Sequence, residues 1–234
     1  MTARPSRSRN ETWVVIPAFN EAEVIASVVQ KVLTFGYSVV VVDDCSSDDT
    51  AARLSRLPVH FCHHVFNLGQ GAALQTGIAY ALAKNAQYIV TFDSDGQHRA
   101  EEIERLLAPL LHGSADVALG TRFSGEGRAV NIPPAKRFVL KVATMFTKVF
   151  TRLDVTDTHN GFRAFTHDAA AKIQITQNRM SHATQILSEI RGKHLRYIEV
   201  PVTIDYSEYS LTKGQKISNS FNIVWDTFME FLKP

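Results

Sequence analysis

The sequence predicts an α/β fold in which a largely parallel central sheet is flanked by helices on both faces. Along residues 13–120, short apolar runs typical of buried strands alternate with segments whose apolar side chains recur at helical spacing. Such alternation is typical of parallel sheets, because a parallel connection crosses over through a helix. Aspartates directly follow several apolar runs, and ligands of parallel sheets bind beyond the carboxyl ends of the strands. The 234 residues are enough for one domain with its own core.

The chain opens with a predicted βαβα unit. The short apolar run at 13–16 predicts the first strand. Apolar residues at helical spacing then fill 24–33, and Gly36 ends this predicted helix. The second strand, at 38–42, is followed by the polar segment 46–50, in which Asp48 and Asp49 are interpreted as caps of a short helix.

The same alternation continues beyond this unit. Each further segment is classified by the period of its apolar residues and by the Gly or polar residues that bound it. The predicted elements are strands at 63–66, 88–92 and 117–120 and helices at 70–85 and 101–111.

The chain divides into three parts within one domain. Residues 1–11 are predicted to be a flexible N-terminal arm, residues 12–205 the main domain, and residues 206–234 a loop and a C-terminal amphipathic helix of the same domain. A second, basic amphipathic helix is predicted at 136–153. Either amphipathic helix could lie in a membrane interface or pack on the core of the protein, and the sequence pattern is the same in both cases.

Composition and charge argue against several classes of protein. The net charge of +2 is mild, and no basic run is interleaved with aromatic residues as in single-strand nucleic-acid binders. Cys45 and Cys62 are too few for a disulfide framework. No apolar segment has the length of a bilayer span, and the N-terminal pattern does not fit a signal peptide. These features favour a cytoplasmic protein with reduced thiols.

Asp93-Ser94-Asp95 directly follows the apolar run 88–92 and predicts a metal site. Side chains alternate along an extended chain, so Asp93 and Asp95 share a face with α-carbons roughly 7 Å apart, and Gln97 falls on that face too. Mg²⁺ or Mn²⁺ bound by one or two carboxylates keeps positions for water and for the phosphates of a substrate. The alternative interpretation is a solvated Asp-rich turn.

Several ordered motifs resemble the family 2 glycosyltransferases, and among them the branch of dolichol- and polyprenyl-phosphate sugar synthases. The motifs are VVIPAFNE at 14–21, VVDDCSSDDT at 41–50, NLGQG at 67–71, FDSDGQH at 92–98 and GTR at 120–122. The resemblance covers about residues 12–205, which it identifies as a catalytic domain. It implies a GT-A fold, an inverting transfer from a nucleotide-diphosphate sugar, and a divalent metal on the diphosphate.

The resemblance also implies roles for residues on the donor side. Those assigned to nucleotide-sugar binding are Pro17, Phe19, Glu21, Asp44, Gln70 and Asp93. Gln70 stands where the family often has a lysine. Arg122 would compensate the charge of the diphosphate, and Asp95 would act in catalysis as a metal ligand. Two alternatives stay open: Glu21 as an ordinary carboxylate at the start of a helix, and Arg122 in a surface ion pair with Glu126 or another acid.

The segment DTHNGFR at 157–163 resembles the Asp-x-x-Ser-Gly-Phe-Arg motif of the family, with Asn160 in place of serine. By this resemblance, Asp157 is either a catalytic base or a scaffold of the acceptor site. A hydroxyl acceptor needs a base, whereas a lipid phosphate is already an anion. Asn160 and Arg163, together with Lys213 and Lys216 of the following loop, are assigned to the acceptor.

The leading prediction is a glycosyltransferase that moves a sugar from a nucleotide-diphosphate sugar to polyprenyl phosphate at the cytoplasmic membrane face. The protein would be peripheral on the membrane or would act through a small membrane partner protein. One alternative is transfer to a hydroxyl acceptor in cell-surface glycan synthesis, with Asp157 as base. The other is a non-catalytic scaffold that binds sugar nucleotides.

Overall fold

The computed structural model describes residues 9–134, 137, 138, 140, 141, 144, 145, 148, 153–178 and 181–213, with only the backbone at 211–213. Most of the predicted N-terminal arm and of the basic helix at 136–153 lies outside these residues. Lys216 and the C-terminal amphipathic helix lie outside them as well. Within the described part of the chain, no helix is both long and apolar enough to cross a bilayer.

As far as residue 121, strands and helices alternate in the order that the sequence predicts. The strands are β1 Thr12–Ala18, β2 Ser38–Asp43, β3 His60–His63, β4 Tyr88–Thr91, β5 Val117–Thr121, β6 Arg128–Val130, β7 Arg163–Thr166, β8 Tyr197–Pro201 and β9 Thr203–Asp205. The helices are α1 Ile25–Thr34, α2 Thr50–Leu54, α3 Gln70–Ala83, α4 Ile103–Leu111, α5 His167–Lys172, α6 His182–Gly192 and α7 Glu208–Lys213, with a 3₁₀ turn at Ala100–Glu102 before α4.

The central sheet is seven-stranded, in the order β3-β2-β1-β4-β7-β5-β8. The pairs β1–β2, β1–β4, β2–β3 and β5–β8 are parallel, and β7 runs antiparallel to both of its neighbours. Strands β6 and β9 form a separate parallel pair. The prediction of a largely parallel central sheet is confirmed. Its carboxyl edge gathers the loops that follow β1, β2, β4 and β5.

Burial on both faces of the sheet explains the continuous apolar runs of the central strands. Val14 and Ile16 of β1 pack on one face with side chains of α1 and α4, whereas Trp13 and Val15 pack on the other face with α3, α5 and α6. Because the side chains of a strand alternate between two buried faces, every position of β1 is apolar or small except Thr12. The core therefore consists of two layers separated by the sheet.

The prediction for the third strand was wrong by three residues. β3 is His60–His63 rather than 63–66, and Val65 and Phe66 are 75% and 73% exposed. β3 lies at the edge of the sheet and pairs with β2 as far as Asp43, so pairing ends where β2 ends. An edge strand does not need two buried faces, and the apolar pattern was therefore a poor guide to its position.

The capping prediction for α2 holds in part: Asp48 Oδ1 accepts from the Thr50 N–H at 3.0 Å, whereas the Asp49 side chain makes no capping bond.

Gly77 allows α3 to pack closely on the sheet, and its replacement by alanine is expected to destabilise the fold. An added Cβ would lie 2.3 Å from Val15 Cγ1 and 3.2 Å from Val42 Cγ2. Overpacking of this kind costs about 1–3 kcal/mol of the free energy of unfolding, which urea denaturation would measure. Gly192→Ala is the matched control, because its added Cβ meets nothing within 4 Å. Equal stability of the two variants would contradict the close approach of α3 and β1.

Candidate active site

Acidic and basic side chains converge at the carboxyl edge of the sheet, as the sequence predicts. Glu21 follows β1, Asp44 follows β2, Asp93 and Asp95 follow β4, and Arg122 follows β5. Asp95 lies near enough to Asp93 and Glu21 for both to act on its pKa. Parallel strands place their carboxyl ends at one edge, so residues far apart in sequence come together there.

Asp93 is held in one orientation from several sides. Its Oδ1 accepts from Gln70 Nε2 at 3.1 Å, and its Oδ2 lies 2.9 Å from His98 Nε2. Gly161 lies directly behind the carboxylate, since an added Cβ there would be 2.5 Å from both oxygens. Burial raises the pKa of Asp93, but the charge and hydrogen bond of His98, together with the charges of His182 and Arg163, hold the pKa below its usual value. Asp93 is therefore an oriented carboxylate anion.

Asp95 carries the opposite shift. Burial and the neighbouring Asp93 raise the pKa of Asp95 to about 6, although its Oδ1 accepts from the Gln97 N–H at 3.0 Å. Gln97 takes part here through its backbone, and its carbonyl accepts from the Asp205 N–H. Two carboxylates that repel each other fit a hard divalent cation, which favours oxygen ligands and relieves the repulsion.

The described residues contain no group of three His, Cys, Asp or Glu side chains arranged to hold a metal ion. A cation on Asp93 and Asp95 would thus take further oxygens from elsewhere. Mg²⁺ commonly binds in this way, through one or two carboxylates together with substrate phosphates. The donor set of the site fits such a cation.

Arg122 and Asp157 form a buried, bidentate ion pair. Arg122 Nε and Nη2 each donate to Asp157 at 2.6 Å, and the Arg122 backbone N–H donates to the same carboxylate at 3.0 Å. Arg122 Nη1 donates to the Tyr206 hydroxyl at 2.6 Å. The side chains are only 6% and 1% exposed. The alternative of a surface pair with Glu126 is wrong, because Glu126 pairs with Arg105 and the partner of Arg122 is buried.

This pairing decides the ionisation of Asp157. Burial raises the pKa of Asp157, but the charge and hydrogen bonds of Arg122 outweigh it and hold the pKa below its usual value. The neighbouring His159 has its pKa lowered to about 4 by burial and is neutral near pH 7. In this arrangement the Asp157 carboxylate accepts hydrogen bonds from the guanidinium, and the guanidinium fork points at Asp157 and Tyr206 rather than at an open site.

Glu199 of β8 is a residue that the motifs did not indicate. Its Oε1 accepts from the Thr156 N–H at 2.6 Å and from the Asp157 N–H at 3.3 Å. Burial raises the pKa of Glu199. The carboxylate holds the loop that carries Asp157. A single acid within an otherwise ordinary strand gives no sequence signal for such a role, because its partners are 42 and 43 positions away.

The residues assigned to the nucleotide have different surroundings. Pro17 is buried within β1, and Phe19 is 44% exposed at its end. Glu21 is buried, and its Oε2 accepts from the Tyr209 hydroxyl of α7 at 2.8 Å. Asp44 is buried and accepts from the N–H groups of Leu68 and Gly69 at 3.0 and 2.6 Å. Tyr209 thus joins the site from the far end of the described chain.

Asp44 also accounts for the loop that leads into α3. His64 Nδ1 lies 2.7 Å from Asp44 Oδ1. Gly69, the N-cap of α3, has φ +99°, a conformation that favours glycine. The carboxylate of Asp44 therefore fixes the loop 64–69 and, through it, the start of the helix that carries Gln70.

The residues assigned to the acceptor lie in or beside the loop 157–163. Arg163 is buried and donates to the carbonyls of Asn160, Thr158 and Ala183 at 3.1, 3.1 and 3.3 Å, and burial lowers its pKa to about 10. Asn160 Oδ1 accepts from the Phe162 N–H, while its buried Nδ2 has no hydrogen bond within the described chain. Lys213 ends α7, with no side chain described, and Lys216 lies outside the described residues.

Gly161→Ala is expected to displace the Asp93 carboxylate. An added methyl would lie 2.5 Å from both carboxylate oxygens, and a side chain held by hydrogen bonds gives way more readily than the backbone. We expect at least a tenfold weaker affinity for Mn²⁺, measured by electron paramagnetic resonance, with little change in the melting temperature. Gly192→Ala is again the control, because its added methyl group meets nothing within 4 Å. Unchanged Mn²⁺ affinity in Gly161→Ala would show that Asp93 need not hold this orientation.

Comparison with known proteins agrees with this arrangement. The model of the family described as glycosyl transferase family 2 matches residues 13–174. An uncharacterized protein of Methanocaldococcus jannaschii is 34% identical over 226 residues, covering 95% of this chain and 93% of the relative. Polyprenol monophosphomannose synthase of Mycolicibacterium smegmatis is 30% identical over 223 residues, covering 91% and 83%. UDP-N-acetylglucosamine–dolichyl-phosphate N-acetylglucosaminyltransferase of Methanococcus voltae is 28% identical over 237 residues, covering 93% and 94%.

A solved structure shares the fold. Glucosyl-3-phosphoglycerate synthase from Mycobacterium tuberculosis, in complex with Mn²⁺, UDP and phosphoglyceric acid, superposes with a TM-score of 0.75 at 16% identity. The match covers 99% of this chain and 82% of that protein. The likeness confirms the predicted GT-A type fold.

Proposed function

Because the chain belongs to glycosyl transferase family 2 and is a glycosyltransferase, we propose that it transfers a sugar, with inversion, from a nucleotide-diphosphate sugar to polyprenyl phosphate. The names of two relatives of nearly full-length coverage describe sugar transfer to a polyprenol or dolichyl phosphate. We place the reaction at the cytoplasmic face of the membrane, with the protein bound peripherally. The buried Arg122–Asp157 pair is the observation that carries the choice of acceptor.

On the donor side, Asp93 and Asp95 are proposed to hold Mg²⁺ or Mn²⁺. When bound, the cation would neutralise negative charge on the diphosphate leaving group. The support is the geometry of the two carboxylates: Gln70 and His98 orient Asp93, and Asp95 is buried close to it, which raises the pKa of Asp95 to about 6. Glu21 and Phe19 are proposed to bind the nucleoside at the end of β1, where one supplies a hydrogen-bond acceptor and the other an exposed apolar surface.

On the acceptor side, the ion pair favours a phosphate over a hydroxyl group. A hydroxyl acceptor must lose a proton to a base, and a good base has a pKa near the operating pH. Asp157 has a pKa below its usual value and binds Arg122 through both oxygens. His159, with a pKa of about 4, is also a weak base. A polyprenyl phosphate is already an anion and needs neither residue as a base.

The experiment is a transfer assay with a panel of radiolabelled nucleotide sugars, with and without polyprenyl phosphate, that follows the label into organic solvent. We expect extraction that depends on the lipid, on the divalent metal and on a single donor sugar. Addition of chelator should abolish it and excess Mn²⁺ should restore it. Transfer to a hydroxyl acceptor without labelled lipid would overturn the choice of acceptor. Nucleotide-sugar binding without turnover across a broad acceptor panel would overturn the enzymatic proposal.

A further inference from the structure

His98 lies below the carboxylate of Asp93 and is itself buried. Its side chain is 3% exposed, and its Nε2 is 2.9 Å from Asp93 Oδ2. The imidazole stacks on Phe162, with ring centroids 5.0 Å apart and an interplanar angle of 29°, and meets Phe92 edge-on at 5.3 Å. Packing on these two rings therefore fixes the imidazole independently of its contact with the carboxylate.

The backbone around His98 is also anchored. His98 forms an isolated antiparallel bridge with Ile204 of β9. The adjacent Arg99 forms a two-bond ion pair with Asp205, at 2.6 and 2.9 Å. The imidazole thus belongs to a rigid layer between the loop after β4 and strand β9, rather than to a mobile loop tip.

Only one nitrogen of the ring has a polar partner within the described chain. Nε2 faces Asp93, whereas the buried Nδ1 has no hydrogen bond there. A carboxylate accepts hydrogen bonds, so Nε2 must carry the hydrogen that it donates to Asp93. If the ring served only for packing, a phenylalanine would fit this apolar layer equally well. The polar contact with Asp93 accounts for the presence of a histidine.

We propose that His98 is a positioning residue that orients Asp93 for the divalent cation of the donor site, by donating from Nε2 to Oδ2. This inference rests on the proposed function, because it requires that Asp93 bind the cation. Gln70 holds the other oxygen from α3, and Gly161 leaves the space behind the carboxylate, so His98 completes the set of contacts that restricts Asp93 to one orientation. Groups that orient metal ligands in this way typically change metal affinity by about 10- to 100-fold when they are removed.

Three substitutions separate the hydrogen bond from the packing. His98→Gln can place an amide nitrogen near the position of Nε2, whereas the shorter amide of His98→Asn falls near the position of Nδ1 and does not reach Asp93. His98→Phe keeps the stacking on Phe162 and has no donor. We expect the affinity for Mn²⁺ alone, measured by electron paramagnetic resonance of the free ion, to fall about 10- to 100-fold in the Asn and Phe variants. The Gln variant should stay within about threefold of the wild type.

The melting temperature and the kinetics complete the test. If His98 is only structural, the variants will differ in melting temperature without this pattern in Mn²⁺ affinity, and the inference is wrong. Should His98→Phe fail to fold, the comparison of Gln with Asn decides. In the transfer assay, the Asn variant should need about 10-fold or more additional Mn²⁺ for half-maximal rate, and the Gln variant should not. If the unmutated protein transfers sugar without bound Mn²⁺ or Mg²⁺, the metal site itself is refuted. If the Asn and Phe variants bind Mn²⁺ as tightly as the unmutated protein, only the role of His98 is refuted.

Discussion

Asp95→Asn is expected to lower the rate of sugar transfer by at least about a hundredfold while the fold stays intact. A divalent cation supplies several kcal/mol of charge stabilisation, and each 1.36 kcal/mol is a factor of ten in rate. Removal of one of the two carboxylates that flank the proposed cation site should forfeit most of that stabilisation. The measurement is the rate of label transfer to polyprenyl phosphate at saturating Mn²⁺, together with Mn²⁺ affinity.

The stability of the same variant separates loss of metal from loss of fold. Asp95 has its pKa raised to about 6 from 3.8, so in the metal-free protein its ionised form is less favourable in the folded state than in the unfolded state. Its effect on stability is therefore unfavourable above pH 6 and fades as the pH falls towards 4. We expect Asp95→Asn, in the presence of chelator, to melt at the same or a higher temperature than wild type at pH 7.5. That difference should shrink at pH 4.5.

Asp49→Asn is the matched control for this substitution. Asp49 is an exposed aspartate at the start of α2 whose side chain makes no capping hydrogen bond. It should keep full transfer activity and wild-type Mn²⁺ affinity. Full activity of Asp95→Asn would overturn the assignment of the Asp93–Asp95 pair to the metal.

Removal of either partner of the Arg122–Asp157 pair is expected to lower the free energy of unfolding by about 3–5 kcal/mol, because the other charge is left buried without compensation. Asp157→Leu would strand the Arg122 guanidinium, whose side chain is 6% exposed. Arg122→Met would leave the Asp157 carboxylate buried without its counter-charge and without two of its hydrogen bonds. Urea denaturation of the single variants and of the double variant Arg122→Met/Asp157→Leu would measure the coupling.

The double variant distinguishes burial of charge from packing. Apolar replacements of a buried ion pair are often neutral or stabilising, so the double variant should recover part of the lost stability. It still lacks the acceptor of the buried Arg122 backbone N–H, which costs about 1–3 kcal/mol. Arg196→Met/Asp116→Leu serves as a control, since that pair is 61% and 26% exposed and its removal should cost at most about 1 kcal/mol. If the single Arg122 and Asp157 variants lose no more stability than the variant of the exposed Arg196–Asp116 pair, the buried geometry is contradicted.

The pH dependence of the pair has a definite sign. The pKa of Asp157 is lower in the folded protein than in the unfolded chain, so its contribution to stability is complete above the unfolded value of about 4. It is lost as the pH falls from there through the lower, folded pKa. The difference in melting temperature between wild type and Asp157→Asn should therefore be constant from pH 6 to 8 and shrink below pH 4. Lipid-phosphate transfer retained by Asp157→Asn would also confirm that the reaction needs no base at this position.

Sequence periodicity predicted well the strands whose two faces are both buried and the helices that cover them. For β1, β2 and β5 and for helices α1, α3 and α4, the predicted ends agree with the structure to within about two residues. The edge strand β3 was misplaced because one-sided burial leaves a weak pattern. The position of β7, inserted antiparallel between β4 and β5, had no sequence signal, because strand order depends on contacts between distant segments.

The chemical character of the site was readable from residue type and position alone. Carboxylates directly after buried strands must emerge at the carboxyl edge of a parallel sheet, which is why Glu21, Asp44, Asp93 and Asp95 could be grouped in advance. Which oxygen meets which donor was decided only by the tertiary structure. His98 turns back onto Asp93 within the loop after β4, Gly161 comes to Asp93 from the loop before β7, and Glu199 reaches the Asp157 loop from β8. Hydrogen bonds and pKa values depend on distances of a few ångströms between residues that the chain brings together only when it folds, so no local pattern encodes them.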